Sequence, residues 1–150
     1  MKQAMIFAAG LGTRLKPLTD RIPKALVRVG NKTLLERVIE ILKDADTDEI
    51  VINVHHFAEQ IRDFLDDHSN FNIDIRISDE SDRLLDTGGG LRKASPLFDG
   101  DNPILIHNVD ILSNVNLNEF YERNKSFKAT LLVSSRKTSR YLLFDDNNRL

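Results

Sequence analysis

Apolar residues occur along the chain in short continuous runs, separated by segments in which they recur at helical spacing. The runs QAMIFA at 3–8 and DEIVINV at 48–54 are dominated by aliphatic residues and predict two buried strands. Between these runs, apolar residues at positions i, i+3, i+4 and i+7 from Leu35 predict a helix over 34–44. The segment TLLE at 33–36 has the spacing of a capping box, which predicts where that helix begins.

The alternation of strands and helices continues through the rest of the chain. The further predicted elements are a helix from Phe57 that ends near His68, a strand at 72–78, a central parallel strand at 103–108, a helix at 117–124 and a strand at 128–135. Strands that alternate with helices indicate an α/β fold with a mostly parallel sheet. The C-terminal segment RYLLFDDNNRL predicts a strand, an Asp-Asn-Asn turn and the start of a returning strand. Because a hairpin cut off there cannot pair, we expect the chain to be part of a longer protein.

Composition narrows the possible functions. With 150 residues, 41% of them hydrophobic, the chain fits one domain with a sizeable core. A net charge of −2 argues against a nucleic-acid partner, because nucleic-acid-binding domains usually carry a basic excess over the whole domain. No run approaches the roughly 18 apolar residues of a membrane span, and there is no cysteine. We therefore expect a cytoplasmic protein with no nucleic-acid and no membrane partner.

The loop after the first strand is unusually basic. Between positions 14 and 28 there is one acidic residue, Asp20, and the basic residues are Arg14, Lys16, Arg21, Lys24 and Arg28. In open α/β sheets ligands bind beyond the C-terminal ends of the strands, where this loop should lie. Gly10 and Gly12 would let backbone N–H groups approach phosphate oxygens closely. The loop therefore predicts a site for a small polyanion.

Two common phosphate-binding motifs do not fit this loop. A dinucleotide-binding fingerprint needs G-x-G-x-x-G, but Leu15 stands at the position of its third glycine. A Walker A loop needs G-x-x-x-x-G-K-[ST], which nothing here supplies. A dinucleotide-binding domain is therefore a disfavoured alternative.

Residues 10–26, GLGTRLKPLTDRIPKAL, resemble the signature of sugar-1-phosphate nucleotidyltransferases. That signature is G-x-G-[TS]-R-[LM]-x-P-L-T, followed after a few residues by P-K. The matching residues are Gly10, Gly12, Thr13, Arg14, Leu15, Pro17, Leu18, Thr19, Pro23 and Lys24. The likeness continues through VRVGNKTLLERVIEIL, INVHHFAEQIRDFL, LLDTGGGLRKA and ILIHNVD, and so covers essentially the whole chain.

The resemblance implies a fold, an activity and a domain layout. The fold would be a Rossmann-like three-layer αβα sandwich of the nucleotide-diphospho-sugar transferase type. The activity would be transfer of a nucleotidyl group from a nucleoside triphosphate to a sugar 1-phosphate, with Mg²⁺ as cofactor and pyrophosphate as the second product. Residues 1–150 would be the nucleotide-binding N-terminal part of the nucleotidyltransferase domain, with the sugar-binding C-terminal part largely absent. No motif predicts an oligomeric state.

The family's functional positions carry over residue by residue. By resemblance, Arg14 would bind the β- and γ-phosphates, and Lys24 would lie between the α-phosphate and the incoming sugar phosphate. Asp110 would bind the catalytic Mg²⁺, although Val109 stands where the family usually has glycine. The implied nucleotide-binding residues are Gly10, Leu11, Gly12, Thr13, Glu80, Gly88 and Asn108.

A second glycine-rich segment should form another wall of the site. The segment TGGG at 87–90 precedes LRKASPLF, which predicts a helix with an approachable N-terminus. By resemblance this segment would lie against the nucleotide base, with Glu80 hydrogen-bonded to the edge of the base. The alternative role for Glu80 is that of an ordinary turn residue.

Three functional hypotheses follow from these patterns. NVHHFAEQI and DTGGGLRKA look most like the short bacterial uridylyltransferases that act on N-acetylmuramate 1-phosphate, which favours transfer of UMP from UTP. Mannose-1-phosphate guanylyltransferases share much of the pattern and are the alternative. A third hypothesis is a non-catalytic module of the same fold that binds a nucleotide or sugar phosphate to regulate a partner. The presence of Arg14, Lys24 and Asp110 together favours an enzyme.

Overall fold

The computed structural model describes residues 1–135, 137, 142–147 and 149. In chain order, their strands and helices are β1 (Gln3–Phe7), β2 (Arg28–Val29), β3 (Lys32–Thr33), α1 (Leu34–Asp44), β4 (Glu49–Val54), α2 (Ala58–Asp67), β5 (Asp74–Asp79), α3 (Asp86–Ala94), β6 (Ile104–Asn108) and α4 (Leu117–Asn124). Short 3-10 turns lie at Thr13–Leu15, Leu18–Asp20, Lys24–Leu26, Ser69–Asn72 and Ser95–Leu97. The alternation of strands and helices confirms the α/β prediction.

Four parallel strands form the central sheet in the order β5-β4-β1-β6. The chain moves outward from β1 to β4 and β5, and then returns to place β6 on the other side of β1. This reversal puts a topological switch point beside β1, where α/β sheets bind their ligands. The small antiparallel pair of β2 and β3 lies outside this sheet.

Side chains on both faces of the sheet are buried, which gives the three predicted layers. Ala4 and Ile6 of β1 belong to a core that also contains the apolar faces of α1 and α2. Met5 and Val51 point to the opposite face and pack with Ala94 of α3. Residues 4–7 of β1 and 50–52 of β4 are continuous apolar runs because both faces of these strands are covered.

Helix α1 shows how far local sequence specifies an element. It spans the predicted residues, and it begins with the predicted capping box. Glu36 N–H donates to Thr33 Oγ1 at 3.1 Å, and Thr33 N–H donates to Glu36 Oε2 at 3.4 Å. The predicted helices ending near His68 and at 117–124 are also confirmed.

Several predictions about the second half of the chain were wrong. The strand predicted to be central, β6, pairs only with β1 among the described residues, and Ile106 is 47% exposed. Residues 128–135 form no strand, because no described strand pairs with them, and their apolar side chains are exposed. The TGGG segment does not precede a helix but lies within α3.

The predicted C-terminal hairpin is described only in part. Asp145 Oδ1 accepts from Asn147 N–H at 2.9 Å, and residues 146 and 147, the described part of the expected turn, do form a turn. Residues 142–144 form no strand, whereas positions 140, 141, 148 and 150 lie outside the described residues. Within the part of the chain that the structure describes, no helix is long and apolar enough to cross a membrane.

Candidate nucleotide-binding site

A cavity of about 220 Å³ lies at the C-terminal ends of β1, β4 and β6. One wall comes from the end of β1 and the residues that follow it, a second from the end of β6, and a third from the start of α3. The lining residues are Phe7, Ala9, Gly10, Lys24, Asn53, Leu84, Asp86, Thr87, Asn108, Val109 and Asp110. The cavity therefore occupies the switch point beside β1.

The glycine loop, residues 8–13, leaves the end of β1 and turns sharply. Gly12 adopts a left-handed conformation with φ of +66°, which favours glycine. Its carbonyl accepts from Leu15 N–H and from Thr19 Oγ1, each at 2.8 Å. These bonds fold the predicted signature back on itself and bring Lys24 against Gly12.

Replacing Gly12 with alanine is expected to destabilise the protein. A Cβ there would lie 2.8 Å from Thr19 Cγ2 and 3.1 Å from Lys24 Cβ, on a left-handed backbone. The conformational penalty alone is about 1–2 kcal/mol, or roughly 2–8 °C in Tm for a domain of this size. Gly10→Ala is the matched control, because a Cβ added at Gly10 would have no neighbour within 4 Å. Thermal unfolding that shifted equally in both variants would contradict this account of Gly12.

Lys24 and Asp110 meet in the cavity although 86 positions separate them along the chain. Lys24 begins the turn Lys24–Leu26, and Asp110 lies two residues beyond the end of β6. The Lys24 ammonium donates a hydrogen bond to Asp110 Oδ2. The Lys24 side chain is 16% exposed and that of Asp110 is 37% exposed. The site therefore holds a cation and an anion that neutralise each other.

Three further predicted site residues of the loop lie outside the cavity lining. Leu11, Thr13 and Arg14 are at least partly exposed and do not line the cavity. Among the described residues, Arg14 forms no ion pair or side-chain hydrogen bond. Its guanidinium is therefore available to a ligand that extends out of the cavity over the loop.

The end of β6 alternates between core and cavity. Asn108 is exposed and lines the cavity, and Val109 is buried with its backbone N–H donating to Phe7 carbonyl at 3.2 Å. His107 is 9% exposed, and burial lowers the pKa of its imidazole, while the bond to the Asn108 carbonyl and the charge of Asp110 oppose that shift. The end of β6 thus carries Asn108 and Asp110 to the cavity on either side of the buried Val109.

The start of α3 forms the wall opposite the glycine loop. Asp86, Thr87 and Gly88 are exposed at this end of the helix, and Asp86 and Thr87 line the cavity. Asp86 has a φ of +56°, an unusual conformation for a residue other than glycine. Glu80, by contrast, is fully buried beneath the cavity, and both of its carboxylate oxygens accept hydrogen bonds from the protein.

Two polar residues of the cavity were not among the predicted site residues. Asn53 and Asp86 both line it, Asn53 from near the end of β4 and Asp86 from the start of α3. The position of Asn53 at the end of a predicted parallel strand was the available signal, since such ends meet at one edge of the sheet. Asp86 directly precedes TGGG, a segment already expected in the site.

Known proteins are similar to this chain in sequence. Residues 3–141 match the family described as Nucleotidyl transferase. The chain is 41% identical over 111 residues to N-acetylmuramate alpha-1-phosphate uridylyltransferase of Caulobacter vibrioides, covering 73% of this chain and 46% of that protein. It is 35% identical over 136 residues to probable mannose-1-phosphate guanylyltransferase 1 of Oryza sativa subsp. japonica, covering 88% of this chain and 38% of that protein.

A solved structure shares the fold. The crystal structure of HddC from Yersinia pseudotuberculosis complexed with GMP-PN superposes with a TM-score of 0.73 at 28% identity, over 84% of this chain and 55% of that one. The chain thus spans about half or less of the curated relatives it matches. With a family match over nearly its full length, the chain belongs to the nucleotidyl transferase family.

Proposed function

We propose that the protein transfers a nucleotidyl group, UMP from UTP in preference to GMP from GTP, to a sugar 1-phosphate. The observation that carries this proposal is the convergence of Lys24 and Asp110 with the glycine loop in one cavity. A cation and a carboxylate beside exposed backbone suit a phosphate chain and its counter-ion. Residues 1–150 supply the nucleotide-binding part of this activity.

The reaction needs positioning and charge neutralisation more than proton transfer. An oxygen of the sugar phosphate forms a new bond to the α-phosphorus, and the bond from that phosphorus to the bridging oxygen of the β-phosphate breaks. Pyrophosphate leaves with that oxygen. Because the attacking phosphate is already ionised at neutral pH, no general base is required. Catalysis then depends on bringing two polyanions together.

Two basic residues would bind different phosphates, according to where they lie in the site. Lys24, in the cavity wall, would hold the α-phosphate and the incoming sugar phosphate as a point charge. Arg14, exposed over the glycine loop, would bind the β- and γ-phosphates with its planar fork. Gly10 to Thr13 would offer backbone N–H groups to the same phosphates, and Asn108 would hydrogen-bond the nucleotide or the sugar.

The residues of the cavity fit a magnesium ion. Mg²⁺ in proteins is held by one or two carboxylates together with substrate phosphates and water, and Asp110 provides a partly exposed carboxylate here. When bound, the ion would neutralise charge on the phosphate oxygens. Lys24 occupies only Oδ2 of Asp110, so Oδ1 would be open to the ion, and the incoming phosphates would give Lys24 a second anionic partner.

The choice of base rests on the relatives. Greater identity to the uridylyltransferase than to the guanylyltransferase favours UTP. GTP is the alternative to UTP, because the structure of HddC was solved with GMP-PN. Gly88 and Thr87, exposed at the start of α3, are the residues we place next to the base. A cytoplasmic location is part of the proposal, since nucleoside triphosphates are abundant there.

A calorimetric titration tests this function. We would titrate the chain with UTP, GTP, dTTP, CTP and NADH, each with and without Mg²⁺. Mg²⁺-dependent binding of one triphosphate is the expected result, and it would identify the base. Binding of NADH alone would overturn the proposal in favour of a dinucleotide-binding domain. If none of the five compounds bound, the result would contradict the proposal that this part of the protein binds the nucleotide on its own.

A further inference from the structure

A buried amide and a buried carboxylate are paired directly beneath the cavity. Asn53, near the C-terminal end of β4, is 2% exposed, and Glu80, the residue after β5, is 0% exposed. Asn53 Nδ2 donates a hydrogen bond of 2.8 Å to Glu80 Oε1. A carboxyl group so deeply buried needs a hydrogen-bond donor for each of its oxygens. The other hydrogen bonds of Asn53 and Glu80 therefore show which parts of the structure the pair connects.

The remaining contacts of the pair reach two walls of the cavity. Asn53 Oδ1 accepts a hydrogen bond of 2.8 Å from the backbone N–H of Ala8, at the start of the glycine loop. Glu80 Oε2 accepts one of 3.1 Å from the backbone N–H of Leu85, immediately before α3. One continuous hydrogen-bonded connection therefore joins the start of the glycine loop to the start of α3.

Helix α3 also packs directly on the pair. A Cβ on Gly90 would lie 2.7 Å from Glu80 Oε1 and 2.9 Å from Asn53 Nδ2, so the helix approaches as closely as only glycine permits. The backbone of Glu80 is held as well, because its N–H donates to the Val54 carbonyl at 2.7 Å and its carbonyl accepts from His55 Nδ1 at 2.6 Å. The pair has little freedom to move relative to the sheet.

We propose that Asn53 and Glu80 are positioning residues for the nucleotide. By fixing the separation between the glycine loop and α3, they determine how tightly the cavity binds the nucleotide. This inference rests on the proposed function, because it takes that cavity as the nucleotide site. Glu80 is the better residue to test, since its complete burial prevents contact with a ligand, whereas Asn53 also lines the cavity.

The opposite end of the same sheet offers a matched control. Gln3 and Glu49, 0% and 1% exposed, are neighbours at the first positions of β1 and β4. Gln3 Nε2 donates to Glu49 Oε2 at 3.0 Å, and Arg76 Nε lies 3.1 Å from Glu49 Oε1. This pair is also a buried amide and carboxylate, but it lies at the end of the strands remote from the cavity.

The test compares Glu80→Gln with Glu49→Gln in the full chain. In Glu80→Gln an NH₂ group replaces one of two accepting oxygens, so one N–H donor loses its acceptor. In Glu49→Gln the buried carboxylate loses the charge that it presents to Arg76. Both variants should therefore lose thermal stability. Only Glu80→Gln should weaken binding of UTP and GTP in the presence of Mg²⁺, by about tenfold, because it alone displaces the walls of the cavity. Parent affinity in Glu80→Gln, or an equal loss in Glu49→Gln, would overturn the inference.

Amide hydrogen exchange gives a second measurement that needs no nucleotide. Relative to Ile6 in the core of β1, the N–H groups of Ala8 and Leu85 should exchange faster in Glu80→Gln and at the parent rate in Glu49→Gln. If the parent chain bound no triphosphate, that result would contradict nucleotide binding by this part of the protein on its own, and the exchange data would still test the connection through the pair. Unchanged exchange at Ala8 would refute the connection through the pair, whatever the binding data show.

A second variant covers the case in which Glu80→Gln does not fold. In Gly90→Ala, the added Cβ on α3 pushes against Asn53 and Glu80, while the amide and the carboxylate themselves are unchanged. It should weaken triphosphate binding and accelerate exchange at Ala8, as Glu80→Gln does. A folded Gly90→Ala protein with parent affinity and parent exchange rates would overturn the inference.

Discussion

The Lys24→Met variant is expected to bind UTP or GTP, in the presence of Mg²⁺, about 10- to 100-fold more weakly than the parent chain. The Lys24 side chain is 16% exposed, and its ammonium lies in the wall of the cavity. There its attraction for a phosphate is screened less by water than that of a surface charge. Methionine keeps an unbranched apolar side chain of similar length and removes the ammonium group with its charge and its N–H donors. Calorimetric titration of both proteins measures the difference.

Lys16→Met is the matched control for this prediction. Lys16 belongs to the same basic loop, but its side chain is 61% exposed and its ammonium lies 3.2 Å from a carboxylate oxygen of Asp20. Removing a solvated charge of this kind should change affinity by about twofold or less. If both variants lost affinity equally, the general positive potential of the loop would explain binding, and the specific role of Lys24 would be wrong.

Elements whose structure depends on local patterns could be predicted from the sequence. Helix α1 has its apolar face and its capping box within residues 33–44, so its bounds could be predicted closely. β1 and β4 are buried on both faces, and their continuous apolar runs record that burial directly. The meeting of Lys24 with Asp110 was implied only by the family resemblance, because no local pattern joins residues so far apart.

The wrong predictions share a physical cause, which is dependence on distant partners. The run that forms β6 is as apolar as that of a central strand, yet β6 is paired on one side only among the described residues. Residues 128–135 have strand propensity, but a strand exists only where another strand pairs with it. Propensity reports what a segment can form, and pairing decides what it does form.

The location of Glu80 shows the same limit within the site. The family resemblance implied a Glu80 side chain hydrogen-bonded to the edge of the base, with an ordinary turn residue as the alternative. In the structure its carboxyl group turns inward, because Asn53, 27 positions earlier, and the N–H of Leu85 supply the donors that it needs. Neither the donors nor the close approach of Gly90 can be read from the residues around Glu80.

The Asp110→Asn variant is expected to change triphosphate affinity in opposite directions with and without Mg²⁺. In EDTA, removing the carboxylate frees Lys24 and abolishes one repulsive charge, so UTP or GTP should bind about fivefold more tightly than to the parent chain. With Mg²⁺ present, the parent chain should gain affinity, whereas the variant lacks the anionic ligand for the metal and should gain little. For the variant, the ratio of the dissociation constant in EDTA to that in Mg²⁺ should therefore be close to one. Titrations with EDTA and with Mg²⁺ measure that ratio.

Asp86→Asn distinguishes the loss of a metal ligand from the loss of a charge. Asp86 also lines the cavity, and asparagine tolerates the left-handed backbone found there. Removing its charge should strengthen triphosphate binding in both conditions and leave the effect of Mg²⁺ intact, because Lys24 and Asp110 are unchanged. If Asp86→Asn abolished the Mg²⁺ effect and Asp110→Asn preserved it, the metal would have to be assigned to the start of α3 instead of the end of β6. The pair of variants thus decides which wall of the cavity holds the ion.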